Sequence, residues 1–297
     1  MSYGPEAVAG CAAGVVGTLI GYPLDSIKTR MQAGAGVQGT SRGMLSMGRH
    51  ILHAEGASGF YRGVASPLAA LTILNTMNFS SYAFFRGLYG VDDTVIARGG
   101  LECRVGLAGA SGGALASIIS TPFELVKTQM VIVNNNKAGV GMTARPSSVK
   151  AALKLVREHG FRSLYVAHAV NTLREVVFLG TYFMVYEHCK NGLASYLASS
   201  WDIGSKGSVP VAGGIAGAVG WFVSFPLDCI KSNIQALPFV KGGPPPPSAR
   251  EVGRNLLRQK GLGGLYTGVL PSIARAFLVS ASRFSVYEGV LELIRAE

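Results

Sequence analysis

The chain has 297 residues, of which 48% are hydrophobic and 14% charged, with 40 glycines. That is too apolar and too poor in charge for a soluble domain of this length, so a membrane is the natural solvent. The net charge of +11 does not indicate nucleic acid: the basic residues are spread between apolar runs, no nucleic-acid motif is present, and membrane-flanking loops are their simpler home.

The first stretch, MSYGPEAVAGCAAGVVG, has neither a basic n-region nor an Arg/Ser-rich amphipathic segment, so any targeting signal is expected to be internal. It begins an apolar helix with Gly10 and Gly14 four residues apart, a spacing that lets helix backbones approach closely in a membrane. Pro23 then opens the string PLDSIKTRMQ, with an acid two residues on and a lysine five on. The turn-rich GAGVQGTSRG reads as a flexible connector. The segment SMGRHILHAEG after it is amphipathic at helical period but too short and polar to span, so it is expected along the membrane surface. His50 and His53 on it have no third ligand in view and read as an interfacial pair. Residues 64 to 85, with no charged side chain, form a second span.

The pattern then recurs. Gly109 and Gly113 precede Pro122 at the same offsets, and the string is PFELVKTQMV. A connector, NNNKAGVGMTARP, leads to the amphipathic SVKAALKLVREHG and to a span containing TLREVVFLGTYFMVYE. In the third copy Gly213 and Gly217 precede Pro226 and PLDCIKSNIQ, followed by KGGPPPP, the amphipathic AREVGRNLLRQKG and the stretch IARAFLVSASRFSVYE. Tyr61, Tyr165 and Tyr266 share one register, and Tyr82, Tyr186 and Tyr287 another. Three units follow, 1–100, 101–203 and 204–297, with two spans each. Cys11, Cys103, Cys189 and Cys229 lack the spacing of a disulfide scaffold or metal site and read as buried thiols.

Three copies of proline, any residue, acid, two residues, base make the chain resemble the mitochondrial carriers over nearly its whole length. The second half of that signature is complete from Glu55 to Gly63 and degraded from Gly160 to Ala167 and from Gly261 to Gly268. The resemblance implies an all-α membrane protein: six transmembrane helices in a closed pseudo-threefold bundle, short surface helices on the matrix side, and a central cavity worked by alternating access in the mitochondrial inner membrane. It implies a monomer that binds membrane lipid, cardiolipin at the matrix-side helix ends, and a small-molecule substrate. No cofactor, metal, nucleic acid or enzymatic activity is implied; neither a phosphate loop, a metal constellation nor a nucleophile with a base is visible.

A charge inside a bilayer costs several kcal/mol unless paired or hydrated, so Asp25, Lys28, Glu124, Lys127, Asp228 and Lys231 should face inward. Around a threefold axis they are expected to pair as Lys28 with Glu124, Lys127 with Asp228 and Lys231 with Asp25, closing the matrix end. Pro23, Pro122 and Pro226 are expected to break or kink the odd helices there. The family braces this gate with glutamines, which match Gln32 and Gln235; Val131 stands in the second copy. The cytoplasmic gate implied by the resemblance retains Arg86, Glu187, Lys190 and Glu288, with Ala83 and Leu291 in place of an acid and a base. Arg86 is expected to meet Glu187, and Lys190 to meet Glu288.

Substrate specificity is expected on the even helices at mid-membrane. There Arg174 and Glu175 stand together in an apolar span, and Arg275 shares Arg174's register. Together they suit a ligand of both signs, the arginine forks taking a carboxylate and the glutamate an ammonium; a purely mutual ion pair is the plainer alternative. The surrounding strings resemble the branch holding the carnitine/acylcarnitine and basic amino-acid carriers, where the equivalents of Arg174, Glu175 and Arg275 hold the substrate. The second helix offers Asn75, Thr76, Met77 and Asn78 where the basic amino-acid carriers have an acid. Arg283, in register with Asn78 and Tyr182, either steers anions inward or partners Glu288. The expected function is transport of a small zwitterionic metabolite, an amino acid or a carnitine-like compound. The alternatives are a nucleotide or coenzyme exchanger and a non-transporting receptor on the same fold.

Overall fold

The more apolar runs have become long helices, and the polar amphipathic runs between them short ones. The computed structural model describes residues 4–37, 43–61, 64–91, 103–137, 148–200, 205–237 and 246–296. Within these lie six long helices, α1 (Gly4–Val37), α3 (Ala65–Leu88), α4 (Cys103–Lys137), α6 (His168–Ser200), α7 (Ser205–Gln235) and α10 (Val269–Ala296). Three helices of 12 residues each, α2 (Met44–Glu55), α5 (Ser148–His159) and α8 (Ala249–Lys260), follow α1, α4 and α7, and the four-residue α9 (Leu262–Leu265) comes after α8. No strand occurs among the described residues. The stretches Cys103–Met130, Pro210–Gln235 and Leu262–Arg283 are long and apolar enough to cross a membrane.

Each long helix packs on the next in chain order, and α10 returns against α1. The close approaches fall on small residues. A Cβ on Gly109 or Gly113 would lie 2.5 or 2.6 Å from the backbone oxygens of Leu179 and Glu175, so only glycine allows α4 to lie this near α6. Gly213 and Gly217 bring α7 against Ser280 and Ala276 of α10 in the same way. The exterior is apolar, with Leu19, Ile20, Leu107, Ile118, Leu173, Phe222 and Phe277 all exposed, whereas Arg174, Asp228, Lys231 and Gln235 are buried. That inversion of the usual soluble arrangement is what a lipid surroundings requires.

Pro23, Pro122 and Pro226 lie inside α1, α4 and α7, which run on through them. The expectation that they break these helices is corrected: each removes one backbone donor, and the flanking turns keep their own hydrogen bonds. Continuing past the prolines, α1 and α4 also take in Gly34–Val37 and Asn134–Lys137 from the segments read as connectors; of the rest, residues 38–42, 138–146 and 241–245 lie outside the described residues, and Gly43 stands directly before α2.

The short helices share a stop signal. Gly56, Gly160 and Gly261 end α2, α5 and α8 at φ 70°, 79° and 63°, a region that favours glycine. At the next corner Ala167, with φ 62°, stands where the third unit has Gly268 at φ 89°. Ser248 caps α8, its hydroxyl accepting from Glu251 N at 3.3 Å. The first short helix is tied down differently: Arg30 of α1 donates to both carboxylate oxygens of Glu55 at 2.7 and 3.0 Å, and to the Gly59 carbonyl. Of the cysteines, Cys229 is buried and Cys189 half-buried, but Cys103 is exposed, because it begins α4 instead of lying within its packed part. Cys11's side chain lies outside the described residues.

Candidate functional site

A cavity of about 310 Å³ lies between the long helices, lined from α1, α3, α4, α6, α7 and α10. Its lower part is a ring of ion pairs supplied by the segment after each internal proline. Lys28 Nζ lies 2.7 Å from Asp228 Oδ2, and Lys127 Nζ lies 2.9 Å from Asp25 Oδ2. Lys231 is paired with Glu124. The expected pairing is therefore corrected: the six residues meet, but each lysine takes the acid of the preceding unit, not the following one. Either sense closes a ring of three. The choice depends on which way the units circulate about the axis, and residue spacing along one chain does not encode that.

Gln32 donates to Asp228 Oδ2 at 2.8 Å, beside Lys28. Gln235 turns instead toward the Val166 carbonyl, at 3.4 Å, and its own backbone oxygen accepts from Gln129. Lys28 also sits over the Trp221 ring, 3.8 Å from its centroid, and Phe178 packs against that ring at 5.0 Å. A cation over an indole face is stabilised by about 1–2 kcal/mol when desolvated. Trp221 lines the cavity and was missed in the sequence. Five residues before Pro226, it shares its offset with Thr18 and Ser117, a large aromatic at a place where the other units have small hydroxyls.

Above the ring, Arg174 holds three carboxylates at once. It donates from Nη2 to Glu124 Oε1 at 3.2 Å and to Glu175 Oε1, and its Nε lies 3.9 Å from Asp228 Oδ1. The guanidinium is aimed by Asn171, wholly buried one turn earlier. Asn171 Oδ1 accepts from Arg174 Nε and Nη2 at 3.4 and 3.3 Å, while its amide donates to Ser120 and Thr121. Thr121 in turn meets His168 Nδ1 at 2.9 Å. Asn171 too was missed in the sequence; its position at the polar start of α6 gave no sign that it supports the arginine.

Arg275 approaches Asp25 Oδ1 to 2.8 Å from Nε, without the alignment of a hydrogen bond. Arg283 lines the upper part of the cavity with Asn78. Arg283 Nε and Asn78 Oδ1 are both buried and have no hydrogen-bond partner among the described residues. Tyr182 of the same register stacks between Phe178 and Tyr186. The cavity thus brings together Arg174, Glu175, Arg275, Arg283 and Asn78 with all six members of the ion-pair ring and both glutamines. Six cations face four carboxylates, a surplus of two positive charges. Such a space can hold a small ligand by its carboxylates and offer an acid to its amine.

Asn75's side chain lies outside the described residues, as does that of Glu288. Arg86 and Glu187 are half-buried at the far end of the bundle, and Lys190 is exposed. The described packing there is largely aromatic, with Tyr82 stacked on Phe183 at 3.7 Å between ring centroids and Phe85 on Tyr89 at 5.9 Å.

Comparison with known proteins bears on the whole chain. A family model described as mitochondrial carrier protein matches residues 1–92, 103–197 and 207–297. The chain is 31% identical over 293 residues to the mitochondrial arginine transporter of Arabidopsis thaliana, covering 99% of this chain and 92% of that protein. It is 30% identical over 295 residues to the mitochondrial basic amino acids transporter of Bos taurus, covering 98% and 92%. It is also 30% identical over 293 residues to the mitochondrial magnesium exporter 1 of Drosophila melanogaster, covering 97% and 94%.

Proposed function

The chain belongs to the mitochondrial carrier family, and from that premise we propose that it moves a small zwitterionic metabolite, of the amino acid or carnitine kind, across the mitochondrial inner membrane by alternating access. The family's activity is transport, not catalysis. The observation that carries the substrate class is the juxtaposition of Arg174, Glu175 and Arg275 in one cavity with a net surplus of two cations. The arginine forks receive the carboxylate and Glu175 receives the amine, replacing part of its contact with Arg174.

In this reading all six long helices span the bilayer as a pseudo-threefold bundle of units 1–100, 101–203 and 204–297, supported by their packing in a closed circuit and by three successive matches to the family model. The ring of Lys28, Asp228, Lys127, Asp25, Lys231 and Glu124 is the matrix gate, with Gln32 and Gln235 beneath it and α2, α5 and α8 on the matrix surface. Arg86, Glu187, Lys190 and Glu288 form the cytoplasmic gate. Pro23, Pro122 and Pro226 give the odd helices a place to bend as the gate opens. Cardiolipin at the matrix-side helix ends and a monomeric state complete the proposal.

Arg174 links the site to the gate, because it shares Glu124 with Lys231 and Asp228 with Lys28, so a ligand carboxylate that draws it away changes the charge balance of two of the three ion pairs. The names of two relatives point to amino acids, which supports the class; a basic side chain finds no acid at Asn78, so a neutral or acidic one is better served here. A nucleotide or coenzyme exchanger gains from the same surplus of positive charge, but Glu175 repels phosphate and the cavity is at the small end of ligand sites, ~300–1,000 Å³.

Thermal unfolding of the detergent-purified protein tests this. Amino acids or carnitine esters should raise its midpoint, since ligand bound to the folded state stabilises it by mass action, and Glu175→Gln should abolish the rise. Stabilisation by nucleotides alone, unchanged by the substitution, would make Arg174 and Glu175 a structural pair. Stable insertion with no uptake of any solute would make the protein a receptor.

A further inference from the structure

The surplus of positive charge is localised, and its location says more about the ligand than its sign alone. The three gate lysines each have an acid, and Arg174 has three. The two cations left over are on α10. Arg275 shares Asp25 with Lys127, and Arg283 meets no carboxylate among the described residues.

Both arginines lie along α1, where the first unit has two glycines one turn apart. A Cβ on Gly17 would come 2.6 Å from Arg283 Cγ and 3.0 Å from its Nε; a Cβ on Gly21 would come 3.1 Å from Arg275 Nε. The second unit has Ala116 and Ser120 at these offsets from its proline, and the third has Gly220 and Ser224. So α1 provides two adjacent seats for arginine stems, and four residues of helix place them about 6 Å apart. On α10 itself the two arginines are eight residues apart, about 12 Å; the side chains therefore lean toward each other to reach those seats. Two like charges brought together in a desolvated cavity are destabilising unless anions are held between them.

We propose that Arg275 and Arg283 form a two-anion clamp, so that the preferred ligand is a short amino dicarboxylate. One carboxylate is held at Arg275, and Glu175, which lines the same cavity, takes the amine. The second is held at Arg283, where Asn78 lines the wall and contributes an additional hydrogen bond. This assignment rests on the zwitterion reading of the cavity and names the class within it. It is opposite in side-chain charge to the basic amino acids for which two of the relatives are named.

The test compares three probes on the detergent-purified full chain by thermal-shift titration: glutamate, glutamine of nearly identical shape, and glutarate, which has both carboxylates and no amine. Glutamate should bind at least about tenfold more tightly than glutamine, the difference a charge-assisted, bidentate contact supplies. That ratio should fall to about one in Arg283→Gln and stay well above one in Arg283→Lys, which keeps the charge. Gly17→Ala, which displaces the Arg283 stem and leaves its charge in place, should also shrink it. Equal binding of glutamate and glutamine by the wild-type protein overturns the clamp and leaves the zwitterion reading standing. A preference for glutamate that survives Arg283→Gln also overturns the clamp. Binding of glutarate as tight as that of glutamate, lost in Arg283→Gln, keeps the clamp and overturns the zwitterion reading. Stabilisation by none of the three overturns the clamp, and the zwitterion reading falls with it only if the other amino acids and carnitine esters fail as well.

Discussion

Lys28 reaches Asp228 at 2.7 Å, joining the first unit to the third through the lysine of one and the acid of the other. The same sense of pairing joins Lys127 to Asp25 and Lys231 to Glu124. Exchanging charges tests it directly. Lys28→Asp alone should abolish uptake into liposomes, and adding Asp228→Lys should restore a measurable part of it. Adding Glu124→Lys should restore none. A coupling of roughly 1–3 kcal/mol in the first double-mutant cycle is what contacting residues show; a larger recovery with Glu124→Lys would mean that the ring circulates the other way.

Asn171 is a positioning residue for Arg174. With its carbonyl taken by the guanidinium and its amide by Ser120 and Thr121, replacing it with leucine should leave the arginine charged but unaimed. The expected result of Asn171→Leu is a roughly tenfold rise in KM, of the size of one lost hydrogen bond to a charged group, with normal insertion. Asn171→Asp should retain more of the affinity, because a carboxylate still accepts from Arg174. Equal affinity in all three proteins would show that Arg174 is held by its acids alone.

Trp221 bears on the gate through the Lys28 ammonium 3.8 Å from its ring centroid. Trp221→Leu should lower the unliganded protein's thermal midpoint by the equivalent of about 1–2 kcal/mol, and Trp221→Phe by less, the order of ring strengths for a cation. If leucine and phenylalanine behave alike, the indole contributes packing and not its π face.

Ala167 adopts φ 62° at a corner where Gly268 holds φ 89°. A side chain in the left-handed region costs about 1–2 kcal/mol, partly offset by the greater unfolded-state freedom of glycine. Ala167→Gly should therefore raise the unfolding midpoint, by about 0.5–1 kcal/mol in stability, without altering transport. Gly268→Ala should move it the other way.

Much of this was legible one helix at a time. The offsets from Pro23, Pro122 and Pro226 place six charges at one level along α1, α4 and α7, and the register tyrosines place Arg174 and Arg275 at another. Both levels line the cavity. What could not be read is what depends on the arrangement around the axis: that Lys28 turns to Asp228 and not to Glu124, and that Arg174 stands close enough to the ring to share its acids. Spacing along a chain gives height and face. The order of helices around a circle, and the reach of long side chains across it, are properties of the assembled bundle. Trp221 and Asn171 were missed for a related reason. Each matters through a partner on another helix, Lys28 for the first and Ser120 and Thr121 for the second. The expectation about the prolines failed locally, because a single missing donor in a long helix leaves the turns around it intact.

Arg174 also constrains how such a molecule could have arisen from copies of one unit. The ring of lysines and acids is closed by repetition, since each new copy brings both signs and supplies what its neighbour lacks. The arginine that engages Glu124, Glu175 and Asp228 is not copied in the same way: its counterpart in register, Arg275, meets Asp25, which Lys127 already holds, and a third would find no carboxylate of its own among the four that line the cavity. Ala70 in the first unit, in the register of Arg174 and Arg275, is a copy in which that charge is absent. Divergence between the units is thus a condition of having a usable interior at all, and a substitution that made them more alike at this level would damage the protein even as it improved its internal symmetry.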